Sequence, residues 1–206
     1  MPRGRGTLDA TWAFAAELQV VGRTGMDSLK RVEILNADIT TLAVDAIVNA
    51  ANSALSGGGG VDGAIHDAAG PDLLVECRRL GPCPAGDARI TKGYRLPANY
   101  VIHAVGPVWD GGTRGEEAVL ASCYRAVIRI AVEHEVRTLA FPAISCGAYR
   151  FPVPRAADIT LNTLAEELSL HPQIERVILA LVDDGTERAF RRSLARILQR
   201  RAGRPT

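Results

Sequence analysis

The amino-acid sequence predicts an α/β fold, arranged as a three-layer α/β/α sandwich around a central mixed sheet. Three observations carry that expectation. Between about Arg31 and Arg200, short β-branched or apolar runs alternate with longer amphipathic ones. Turn residues bound the short runs, and no internal repeat or low-complexity tract breaks the alternation.

Taken in order, residues 32–35 and 46–48 are the first runs of strand length. Residues 88–93 and 100–105 are the next two. A helical stripe follows, in which Leu120, Cys123, Tyr124, Val127, Ile128 and Ala131 share one face. Residues 138–141 are the fifth strand, and Ala157, Leu161, Leu164 and Leu168 form the second stripe. The sixth strand is 177–182, ahead of a last stripe of Phe190, Leu194, Ile197 and Leu198. Each stripe gives a helix one face for the sheet, and such sandwiches bind ligands beyond the carboxyl ends of their strands, where helix N-termini point outward.

At 206 residues the chain is long enough for one domain with a substantial core. The expected organisation is an extension over 1–30 with a short helix near Trp12, the domain over 31–201, and a tail over 202–206. Hydrophobic residues at 47% and charged residues at 23% are the balance of a soluble globular protein. A net charge of +1 lacks the clustered cations of a nucleic-acid binder, and no apolar run approaches the roughly 20 residues that span a bilayer. The four cysteines contain no CxxC pair, so neither a zinc knuckle nor a disulfide framework is expected, and reduced thiols in the cytoplasm are. Asp183 and Asp184 have no further acid or histidine nearby to complete a metal site, so helix capping is their expected role and no metal or cofactor is called for.

Two loops carry the chemistry. The first runs Asn49-Ala-Ala-Asn52, Ser53-Ala-Leu-Ser56, then Gly57, Gly58, Gly59 and Gly60, then Val61, Asp62 and Gly63. Four glycines between a core strand and a core helix let main chain approach an anion, with N–H groups and the helix N-terminus as donors. Composition alone is equally compatible with a flexible linker, but no domain boundary lies on either side. The second loop is Ala143-Ile-Ser145-Cys146-Gly147-Ala148-Tyr149-Arg150, between the strand ending near Phe141 and a helix opening around Pro154. Together the two loops are expected to grip a diphosphate, with Tyr149 closing over a sugar. Neither is a P-loop, since no Lys-Ser/Thr pair follows the glycines, and neither is a GxGxxG fingerprint.

Several strings in the same order closely resemble the MacroD-type macrodomains, ADP-ribose-binding hydrolases of bacteria and animals. They are Asn36-Ala-Asp38-Ile39-Thr40, Val44-Asp-Ala-Ile-Val-Asn-Ala-Ala-Asn52, residues 57–70, Tyr100-Val-Ile-His-Ala-Val-Gly-Pro107 and Phe141-Pro-Ala-Ile-Ser-Cys-Gly-Ala-Tyr149. The resemblance implies that Asp38 accepts from the adenine amino group while Ile39 offers a main-chain donor. It implies that Asn52 and Asp62 are the catalytic pair beside the distal ribose. Asn49, Gly58, Gly59, Gly60 and Val61 fall in one binding loop, and Ser145, Cys146, Gly147, Ala148 and Tyr149 in the other. Implied substrates are mono-ADP-ribosyl esters on Glu or Asp side chains of proteins, and O-acetyl-ADP-ribose. Two positions depart from the family pattern: Arg150 replaces the glycine that usually follows the loop tyrosine, and Val182 stands where many relatives stack an aromatic on adenine.

Each residue also has a plainer role. Asp62 suits the first turn of a helix through the dipole, Asn52 suits a turn, and Asp38 can cap the turn at Thr40. His103 alternates with Val101 and Val105, as a hydrogen-bonded core histidine would, His66 is read as structural, and Cys146 as a small filler. In the hydrolase reading Asp62 holds or deprotonates a water and Asn52 fixes the ribose hydroxyls, a diphosphate oxygen sharing the base role. The rival classes are a reader that binds ADP-ribosylated proteins without cleaving them and an RNA-binding module, the latter poorly matched to the charge pattern.

Overall fold

In the computed structural model, which describes residues 27–202, six strands form one sheet. The short helix expected near Trp12 lies outside the described residues. The strands β1 (Val32–Leu35), β2 (Ala46–Ala50), β3 (Ala88–Lys92), β4 (Tyr100–Ala104), β5 (Thr138–Phe141) and β6 (Arg176–Ala180) fall on the six expected runs, with ends displaced by at most two residues. Their order is β1-β6-β5-β2-β4-β3. All neighbours are parallel except β3 and β4, so the sheet is mixed.

Period-two alternation sorts the strand side chains onto two covered faces. On β2, Ala46 and Val48 enter the core beneath α3 (Glu116–Glu133), α4 (Val153–Leu170) and α5 (Asp184–Ala202), whereas Ile47 faces α1 (Gly60–Ala69) and α2 (Pro71–Leu80). On β6, Val177 and Leu179 take the first side, and Ile178 and Ala180 the second. Three layers result. The Gly70-Pro71 pair breaks what would otherwise be one helix into α1 and α2. Leu29 is buried in the larger core and the Ser28 hydroxyl donates to the Ala165 carbonyl at 2.8 Å, so packing begins ahead of residue 31.

Because five of the six strands run parallel, their carboxyl ends share one edge of the sheet. The loops after β1, β2, β4, β5 and β6 therefore converge there. At the opposite edge the Asp45 carboxylate accepts from the main-chain N–H groups of Arg137 (3.0 Å) and Thr138 (2.8 Å), which pins the start of β2 to the start of β5. Among the described residues no helix is long and apolar enough to cross a membrane.

Candidate active site

The convergent loops enclose a cleft of about 440 Å³. Ala50, Ala51 and Asn52 line it from the end of β2, and Gly58, Gly59, Gly60, Val61 and Asp62 from the turn into α1. Gly106 contributes from the loop after β4, and Ala143, Ile144, Ser145, Gly147, Ala148 and Tyr149 from the loop after β5. Among the described residues, Asp62 is the one charged residue in this lining. An anion bound here would be held by main-chain N–H groups and the N-terminus of α1 rather than by cations. Asp62 and the Ser145 turn, 83 positions apart, meet across the same space.

Gly58 and Gly63 are close-packed, whereas nothing crowds Gly59 and Gly60. A Cβ on Gly58 would stand 3.0 Å from Asp62 Oδ2, and one on Gly63 would stand 2.6 Å from the Gly58 carbonyl oxygen. Asn52 stitches the loop from within: its Nδ2 donates to the Gly57 carbonyl at 2.8 Å and its Oδ1 accepts from the Ser56 N–H at 3.3 Å. Asp62 lies in the first turn of α1 and is only 6% exposed. Its plain helix-dipole role and its place on the cleft wall are thus both realised.

Asn49 does not face the cleft, contrary to its expected place among the ligand contacts. Alternation along β2 turns it toward α1 and α2, where it is fully buried. There its Nδ2 donates to Asp62 Oδ1 at 2.7 Å and stands 3.1 Å from Nδ1 of His103, its direct partner across β2 and β4. An amide donor at Nδ1 places the His103 proton on Nε2, 3.0 Å from the Thr91 hydroxyl. Burial, with His66 nearby, lowers His103 to about 3, so the ring is neutral. The chain Thr91, His103, Asn49, Asp62 is a buried relay that fixes one carboxylate oxygen and leaves Oδ2 turned toward Gly58. His66, one helical turn after Asp62, places Nε2 at 3.5 Å from Asp62 Oδ1.

The ligand atoms of His66, Cys77 and His103 lie within 4.8 Å of one another. Both His103 nitrogens already face hydrogen-bond partners, and burial first, then Asp62, pushes the Cys77 thiol up to about 11. Hydrogen bonding accounts for both His103 nitrogens, whereas His66 Nε2 is buried without a hydrogen-bond partner among the described residues. Replacing Asn49 by Leu strips a donor from a buried carboxylate and is expected to destabilise the protein by about 2 kcal/mol or more, lowering Tm by roughly 4–8 °C. Calorimetric melting checks this, and an unchanged Tm would mean that the relay does not form.

In the loop after β5, Ser145 adopts φ +66, a left-handed conformation uncommon outside glycine. Its hydroxyl is buried on the cleft wall without a hydrogen-bond partner among the described residues. Gly106 packs against it so tightly that a Cβ there would come within 2.7 Å of Ile144 Cγ2 and closer still to Ser145 Oγ. Cys146, expected among the contacts, turns away from the cleft and packs against the larger core, with burial lifting its thiol to about 12. The filler role is the one it fills. Tyr149 is held by its carbonyl, which accepts from the Trp109 N–H at 2.9 Å, while the Trp109 ring meets Phe151 edge-on at 4.7 Å.

Trp109 is in turn positioned by Glu116. This buried carboxylate at the start of α3 accepts from the N–H groups of Asp110 (3.0 Å), Gly112 (3.0 Å) and Arg114 (2.7 Å), folding the β4–α3 loop around itself. Its own N–H and these three hold the carboxyl down at about 2, against an ordinary 4.5. A depressed carboxyl contributes stability that is present above pH 4.5 and lost as pH falls toward 2. The urea midpoint of the wild type is therefore expected to exceed that of Glu116→Gln above pH 4.5, with the gap closing as pH approaches 2. A gap that stays constant across that range would rule out the charged carboxylate as its source.

Asp38, Ile39 and Val182 lie outside the cleft lining but at the same sheet edge, because β1 and β6 pair in parallel with Leu35 opposite Ala180. Asp38 caps a 3-10 turn (Ile39–Thr41) by accepting from the Thr40 N–H at 2.9 Å, Ile39 is buried in the smaller core, and Val182 is 75% exposed. Lining residues that sequence reasoning omitted are Ala50, Ala51, Gly106, Ala143 and Ile144. For Gly106 a signal existed, since a Gly-Pro pair directly after a strand marks a carboxyl-end loop.

A doubly covered mixed sheet with a glycine-walled cleft at its carboxyl edge defines a class of three-layer α/β proteins. Within that class the Macro domain family model matches residues 48–160, and the chain belongs to that family. A macro domain-containing protein of Chlorobaculum tepidum is 56% identical over 164 residues, covering 80% of this chain and 95% of its own. A protein of Enterobacter cloacae named O-acetyl-ADP-ribose deacetylase is 48% identical over 168 residues, covering 80% and 93%. Among solved structures, the Oceanobacillus iheyensis macrodomain with ADP superposes with a TM-score of 0.79 at 36% identity, covering 82% of this chain and 92% of that one. The Trypanosoma brucei macrodomain in complex with ADP-ribose gives 0.75 at 38%, covering 80% and 69%.

Proposed function

We propose that the cleft binds the diphosphate and distal ribose of ADP-ribose and hydrolyses acyl esters of that ribose, both O-acetyl-ADP-ribose and ADP-ribose esterified to Glu or Asp side chains. One observation carries the proposal: a single carboxylate oxygen, oriented from behind by Asn49, faces a glycine-walled space across from a buried Ser145 hydroxyl that lacks a partner. The Enterobacter relative's name supports the deacetylase arm, and the ADP-ribose complex of the Trypanosoma neighbour supports the ligand. The four free cysteines support a cytoplasmic setting.

In the proposed step, main-chain N–H groups of the two loops and the α1 N-terminus neutralise the diphosphate. Asp62 Oδ2 orients a water and takes its proton while the water oxygen adds to the acyl carbon, and the ester bond to the ribose oxygen breaks. That oxygen regains a proton, so ester and water become a carboxylic acid and ADP-ribose. A carboxylic ester is already activated toward water, so one base and well-placed dipoles are sufficient machinery. The tie between Asn52 and Gly57 favours a second reading, a binding-only module, because it commits the carboxamide to the loop.

A calorimetric titration with ADP-ribose, followed by single-turnover assays on O-acetyl-ADP-ribose and on a Glu-linked ADP-ribosyl protein, tests the proposal. Micromolar or tighter binding with release of ADP-ribose is expected. Binding without release would favour the reader, and absence of binding would overturn both.

A further inference from the structure

We infer that Arg150 and Val108 form a docking rim for the polypeptide that carries the ADP-ribose, selecting carriers with acidic residues beside the modified side chain; this rests on the function proposed above. Arg150 sits at φ +57, in the left-handed region where a side chain is disfavoured. Its backbone is locked by the turn that shapes the cleft wall, with its own N–H donating to the Gly147 carbonyl at 2.9 Å and the Phe151 N–H to the Ser145 carbonyl at 3.0 Å. The conformation is imposed by the loop, so a glycine would fit there without strain.

The side chain at this strained position is exposed, and its guanidinium has no hydrogen-bond or ion-pair partner among the described residues. Nearby arginines do have partners. Arg155 pairs with Glu117 at 3.4 Å while lying over the Trp109 ring, and Arg114 pairs with Asp110 at 2.7 Å. The bond between the Trp109 N–H and the Tyr149 carbonyl sets residues 108–109 alongside 149–150. Val108, 62% exposed, and Arg150 therefore flank the pair that bounds the cleft at Tyr149. The rim joins an uncommitted cation to an exposed aliphatic surface just outside the cleft, which suits an acidic peptide chain and offers nothing to an acetyl group.

The test uses the full chain and two peptides, each carrying one ADP-ribosyl-glutamate, flanked either by Asp and Glu or by Ser and Gly. Wild type is expected to favour the acidic peptide in kcat/KM by about three- to tenfold, a preference that shrinks as salt is raised. Arg150→Gly should bring the ratio to about one, Arg150→Glu should invert it, and Arg150→Lys should keep most of it. Affinity for free ADP-ribose should change by less than about twofold in all three, as should turnover of O-acetyl-ADP-ribose. Equal losses on both peptides and on free ADP-ribose would assign the cation to the diphosphate and overturn the inference, as would a wild type indifferent to flanking charge. If wild type cleaves neither peptide, the dissociation constants decide: an Arg150-dependent preference in binding alone upholds the rim while rejecting the hydrolase.

Discussion

Asp62→Ala is expected to lower single-turnover hydrolysis of both ester substrates by about 10²- to 10⁴-fold, the range that a positioned general base contributes. Affinity for ADP-ribose should change by no more than a few-fold, because the contacts expected to hold the diphosphate are main-chain groups that the substitution leaves in place. The carboxylate is nearly buried, and Asn49 fixes its Oδ1. Deleting it also leaves the Asn49 amide without one of its two acceptors, so a modest fall in Tm should accompany the loss of rate. Asp62→Asn separates the two effects, since it keeps the shape and removes the base. Rates within threefold of wild type in both variants would exclude Asp62 as the base and leave the diphosphate oxygen as the proton acceptor.

Gly106→Ala is expected to weaken ADP-ribose binding by roughly 10- to 100-fold, corresponding to about 1–3 kcal/mol for overpacking a tight contact. The added methyl meets two neighbours at once, Ile144 Cγ2 at 2.7 Å and Ser145 Oγ closer still. Rotating the hydroxyl relieves only the second clash. The Ser145 main chain is already in a left-handed conformation bridged by the bond from the Phe151 N–H to its carbonyl, so the displacement is expected to travel into the cleft wall. Titration calorimetry reads the affinity, and near-wild-type binding would mean that the Ser145 turn takes no part in holding the ligand.

Local pattern determined much of this protein. Strand positions were legible because each run is short, apolar and bounded by turn residues, and the helical stripes because 3.6-residue spacing places Leu120, Tyr124 and Val127 on one side. The glycine run and the Ser145 turn announced themselves by lying between strand and helix, where small residues signal a close approach. What tertiary structure alone decided depends on groups distant in sequence. Asn49 looked like a cleft residue beside Asn52, yet its partner is His103, brought opposite by the parallel pairing of β2 and β4, and that pairing makes it the support of Asp62. Glu116 was not singled out in the sequence, and only the path of the loop before it shows the carboxylate gathering three N–H groups. The Gly-Pro pair marks Gly106 as part of a carboxyl-end loop, but only the fold shows Ser145, 39 positions on, filling the space a Cβ would need. Periodicity and turn chemistry are properties of neighbouring residues and can be read from the chain, whereas register, close approach and charge pairing arise only when distant segments meet.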